Sequence, residues 1–160
     1  MGIKRRILVA VMILTTLMGL FGCAKKPSKK PPEPVTSVES MTLTLRGMRG
    51  GDVYRFEISE EKTELCHYYE KYKGEDTILE LDASVACTTD EMIELMNKCG
   101  IMNWDGFHGP HPRNVLDGTM FTFSAEVNGG RRIYADGSEN FPKGYYEFVV
   151  ALREMLDRAD

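Results

Sequence analysis

The stretch Phe121-Thr122-Phe123-Ser124-Ala125-Glu126-Val127-Asn128-Gly129-Gly130-Arg131-Arg132-Ile133-Tyr134-Ala135 decides the fold. Phe121, Phe123, Ala125 and Val127 alternate with polar neighbours, the period-two pattern of a strand that buries one face. Asn128-Gly129 follows, and both residues tolerate the positive φ of a tight hairpin turn. Ile133 and Ala135 resume the alternation. The segment therefore reads as an antiparallel hairpin, which needs no crossover helix between its strands.

The same period continues outward. Met41, Leu43 and Leu45 alternate with Thr42, Thr44 and Arg46, and a glycine-rich turn at 47–52 leads to a second strand carrying Tyr54, Phe56 and Ile58. Thr63 to Tyr72 is rich in strand formers. Leu79, Leu81, Ala83 and Val85 alternate with Glu80, Asp82 and Ser84, which predicts a fourth strand with its aliphatic set facing the core. The period changes at Thr88-Thr89-Asp90-Glu91, a capping box in which Thr88 and Glu91 satisfy each other's amides. Met92, Leu95, Met96 and Cys99 then share one helical face, and Gly100 supplies a left-handed stop. Tyr145, Phe148, Val149, Leu152, Met155 and Leu156 recur at helical spacing near the C-terminus. The expected class is α+β: an antiparallel sheet of about six strands, in the order β-β-β-β-α-β-β-α, packed against two helices.

Residues 41–160 are expected to form a single domain, long enough for a real core. They hold 13 Lys or Arg against 22 Asp or Glu, a net −9. That balance argues against binding a phosphate backbone, which draws its affinity from Lys and Arg, so no nucleic-acid partner is expected. Residues 24–40, AKKPSKKPPEPVTSVES, are rich in Lys, Pro and Ser and poor in apolar bulk, the composition of an extended tether. In a polyproline-like state, at roughly 3 Å per residue, such a tether reaches about 50 Å.

The chain begins with Lys4, Arg5 and Arg6, then runs uncharged from Ile7 to Phe21 and ends in Leu20-Phe21-Gly22-Cys23. This is the layout of a secretory signal. The terminal tetrad resembles the lipobox of bacterial lipoproteins, with Phe21 bulkier than is usual there. The resemblance implies a signal peptide over 1–22 and fatty acyl chains such as palmitate on Cys23. A Lys/Pro-rich tether would then run to residue 40, and the domain would sit outside the cytoplasm, with the membrane as partner through Cys23. Two other readings remain: a signal cut near Gly22 or Ala24 that releases a soluble product, and an uncleaved helix over 7–24.

Cys66, Cys87 and Cys99 are the remaining thiols, so any disulfide leaves one free. Ile101 to Gly118, IMNWDGFHGPHPRNVLDG, shows neither period. One reading makes it a crossover pinned to the core by Trp104, Phe107, Val115 and Leu116. The other makes it a recognition loop, with Trp104, Asp105, His108, His111 and Arg113 as partner-binding residues. His108 and His111, with Asp105 or Asp117, also suit a metal-dependent hydrolase, although no helix sets their spacing. His67 lies in a distant strand. No nucleophile motif, phosphate loop or calcium loop appears, so no catalytic residue, metal or cofactor is expected.

Trp104-x-Gly106-Phe107, Val115-Leu116-Asp117-Gly118 and Phe141-Pro142 together resemble lipoproteins of Firmicutes that carry no assigned activity. The expected role is a non-catalytic binding module of the cell envelope, engaging an envelope protein or other envelope component. The alternative is the hydrolase built on His108, His111 and an Asp.

Overall fold

The computed structural model describes residues 32–48, 50–73 and 76–159. The expected signal peptide over 1–22, Cys23 and the tether as far as residue 31 lie outside the described residues. The described elements are β1 (Val38–Gly47), β2 (Gly50–Ile58), β3 (Thr63–Lys73), β4 (Asp76–Ala86), α1 (Thr89–Cys99), a 3-10 turn (Ile101–Asn103), β5 (Phe107–Gly109), β6 (Met120–Val127), β7 (Arg131–Ser138), α2 (Tyr145–Leu156) and a closing 3-10 turn (Asp157–Ala159).

The class is α+β. One sheet runs in the order β4-β3-β2-β1-β6-β7-β5. All neighbours pair antiparallel except β5, which lies parallel to β7 through Phe107↔Ala135 and Gly109↔Gly137. The sheet therefore has seven strands instead of about six. The extra strand, β5, falls inside the loop at 101–118, and three residues are too few to show a period.

Both helices bury their apolar faces in one cluster with the sheet: Met92, Leu95 and Met96 of α1, Phe148, Val149 and Leu152 of α2, and Met41, Leu43, Phe56, Leu65, Phe121 and Phe123 below them. Each such side chain contributes about 1.5–3 kcal/mol on leaving water. The capping box forms as the sequence predicts. Thr88 Oγ1 accepts from the Glu91 amide at 3.2 Å, and Glu91 Oε2 accepts from the Thr88 amide at 2.8 Å. Gly100 closes the helix at φ 69°.

The expected boundary between tether and domain moves. Val35 and Val38 are core residues, and β1 begins three residues before Met41. Asn97 holds Val35 at both ends, accepting from its amide at 2.8 Å and donating to its carbonyl at 2.9 Å. Asn128 Oδ1 accepts from the Thr36 amide at 2.7 Å, and its Nδ2 donates to the Pro34 carbonyl at 3.0 Å. The part of the expected tether over 32–40 thus belongs to the domain. Composition hides this, because two valines suffice once side-chain amides satisfy the backbone.

The face of β4 also differs from expectation. Its pairing with β3 passes from His67↔Ala83 to Tyr68↔Leu81, so Asp82 is one residue too many. This β-bulge inverts the alternation. Ala83 and Val85 pack against the core, whereas Leu79 and Leu81 turn to the opposite, open face and stand exposed.

Candidate functional site

The residues expected to form a recognition loop are mostly held by the fold. Trp104 is fully buried, its Nε1 donates to the Lys143 carbonyl at 2.9 Å, and its ring meets Phe123 edge-on at 5.1 Å. Asp105 is exposed and faces Arg131 at 3.6 Å. His108, on β5, places Nδ1 2.8 Å from Asp136 Oδ2. His111 is held from both nitrogens: Nε2 lies 2.7 Å from the Val115 carbonyl, which can only accept, and Nδ1 lies 2.7 Å from Ser138 Oγ. Arg113 and Asp117 are exposed. The two histidines stitch the crossover to β7 through different partners. Among the described residues, the one group of three His, Cys, Asp or Glu whose ligand atoms lie within 4.8 Å of one another is Glu57, Glu64 and Cys66, and it contains neither histidine.

A denser polar cluster sits elsewhere, around His67 on β3. Register puts Tyr54 opposite His67 and Asp52 opposite Tyr69, so these four side chains share the helix-facing side of β2 and β3. Strict alternation would send Asp82 of β4 to the other side; the bulge turns it back. His67 Nε2 lies 3.1 Å from Asp52 Oδ1, and Nδ1 lies 3.0 Å from Asp82 Oδ2. The His67 ring stacks on Tyr54 at 4.8 Å and 22°, and meets Tyr69 edge-on at the same distance. From α2, Arg153 Nε donates to Tyr54 Oη at 3.1 Å.

These groups line a cleft of about 630 Å³ together with Leu156 and Asp157. His67 is 7% exposed, whereas the side chains of Asp52 and Asp82 keep 32% and 41% of their surface. An ionised carboxylate accepts and does not donate, so a ring nitrogen that carries a proton donates it to the carboxylate it faces. Burial pushes the Tyr54 hydroxyl above its ordinary value, and the bond from Arg153 opposes that rise. The same bond raises Arg153 further. Arg153 lines both this cleft and a neighbouring one that shares Asp52 and Tyr69.

The cleft therefore offers carboxylate acceptors, guanidinium donors and the half-open Tyr69 ring. Both nitrogens of its imidazole already lie within hydrogen-bond distance of a carboxylate. Among the described residues the thiols are held protonated: burial, reinforced by neighbouring acids, pushes Cys66 and Cys87 up to about 11, and burial raises Cys99 as well. All three thiols are free and buried.

The chain matches no protein-family model and no curated protein. The cluster was missed in the sequence because its members lie on three strands and a helix, and because Asp82 reads as outward. The available signal was a lone His in a strand flanked by strands that each carry an Asp.

Proposed function

We propose that this chain is a membrane-anchored extracytoplasmic lipoprotein whose α+β domain is a non-catalytic binding module, with the cleft at His67 as its ligand-receiving surface. The lipobox-like tetrad ending in Cys23 supports the anchor. Residues 24–31 supply a short polar spacer between it and the domain. The observation that carries the binding role is the convergence of Asp52, His67, Asp82 and Arg153 on one cleft, with both His67 nitrogens already engaged. A general base needs a nitrogen within reach of substrate; a binding site needs fixed acceptors and donors, and here they are fixed.

The test is photo-crosslinking in the native cell. A photoreactive side chain replaces Tyr69 at the cleft or, as control, the exposed Tyr134 on β7. The expected result is an adduct specific to position 69 that disappears when Arg153→Ala is added. Identical adducts from both positions, unaffected by Arg153→Ala, would remove the cleft from the account.

A further inference from the structure

We infer that β4 is an acceptor edge for an extended basic segment of another protein, which joins the sheet as an additional strand. This surface adjoins the cleft, with which it shares Asp82, but the inference does not depend on the cleft's role. β4 stands at the end of the strand order, paired with β3 on one side only. It is 11 residues long, whereas the opposite edge, β5, has three. Every residue from Asp76 to Asp82 is exposed. Proteins commonly blunt such edges with Lys, Pro, a bulge or a very short strand. β4 carries neither Lys nor Pro, and its bulge lies at Asp82, leaving Asp76 to Leu81 as an uninterrupted run.

That run is also apolar on both faces. Ile78 lies opposite Lys71 on one face, while Leu79 and Leu81 lie opposite Glu70 and Tyr68 on the other. The three aliphatic side chains are 43%, 40% and 55% exposed. An added strand would cover them from either side while its backbone took up the free edge groups, the mode of strand addition.

Charge selects the occupant. β4 bears Asp76, Glu80 and Asp82 and no cation of its own, in a domain that carries a net −11 over residues 32–160. Lys71 of β3 pairs with Glu80 and His67 with Asp82, so Asp76 is the acid that an incoming cation meets first. A second copy is a poor fit. Within the uninterrupted run, an antiparallel register that pairs Leu79 of each copy with Leu81 of the other sets Glu80 against its own counterpart. Like charges directly opposite each other destabilise a pair. A strand alternating aliphatic residues with Lys or Arg meets both the exposed leucines and the acids.

The experiment uses the full chain in detergent and follows exchange of the β4 amides that face away from β3. The probes are three capped seven-residue peptides at millimolar concentration. One alternates Val and Lys, one alternates Val and Glu, and one is the Val/Lys sequence methylated at every backbone nitrogen. The Val/Lys peptide should slow exchange over 76–81 by roughly tenfold or more, and the other two should not. Leu79→Lys with Leu81→Lys, both at exposed positions, should abolish the effect while leaving exchange in α1 and β1 unchanged. Absence of protection by the Val/Lys peptide would overturn the inference, as would equal protection by its methylated form. Protection that grows with the chain's own concentration, without peptide, would identify the occupant as a second copy and would likewise overturn it.

Discussion

His67 stands between Asp52 on β2 and Asp82 on β4, so removing its ring leaves two carboxylates facing each other with no donor between them. His67→Leu should therefore destabilise the domain by about 1–3 kcal/mol despite being apolar and of similar size, measured as a lower urea midpoint at unchanged m-value. Glu70 gives a prediction with a sign in pH. Arg46 donates to both of its carboxylate oxygens at 2.8 Å and holds its carboxyl below the ordinary value of 4.5. A depressed carboxyl contributes stability above its unfolded value and loses it as pH falls through the folded one. The gap between wild type and Glu70→Gln should thus be widest at neutral pH and shrink once pH drops below about 4.5; a gap that grows on acidification would contradict this. The raised thiols give a third outcome. At pH 8, iodoacetamide should leave Cys66 and Cys87 unmodified in the folded chain and label them after unfolding, read by mass spectrometry.

Among the elements, the N-terminal segment makes the sharpest demand. Val35 and Val38 are 2% and 3% exposed, and Asn97 and Asn128 clamp the backbone between them. A chain starting at residue 41 should accordingly be less stable than one starting at 32 by about 3 kcal/mol or more, measured by urea unfolding; equal midpoints would return residues 32–40 to the tether. The hairpin at Asn128-Gly129 and the capping box at Thr88 were legible in the sequence because each is a local rule satisfied locally. So were the core faces of β1 from Met41 to Leu45, of β6 and of the two helices, where one period holds. What escaped was non-local. The bulge at Asp82 depends on how β4 pairs with β3, and it moved Leu79 and Leu81 out of the core while bringing Asp82 to His67. β5 exists only because Phe107 to Gly109 meet β7. The loop residues read as candidate ligands were visible as unusual types, but their partners Asp136, Ser138 and Lys143 lie far along the chain.

For the whole molecule, charge and attachment fit one picture: an acidic domain, a short Lys- and Pro-rich spacer, and a cysteine that would carry lipid. Each buried methylene adds about 0.8 kcal/mol, so two or more acyl chains on Cys23 would anchor the protein stably where one would not. Among the described residues no helix is long and apolar enough to cross a membrane; the attachment proposed here is the lipid on Cys23. The most direct measurement is metabolic labelling with a fatty-acid analogue, comparing wild type with Cys23→Ala after membrane fractionation. The account predicts label on the wild-type protein in the membrane fraction and none on the variant, which should accumulate as unprocessed precursor or be shed. Equal labelling of both, or an unlabelled wild-type protein released into the medium, would contradict it.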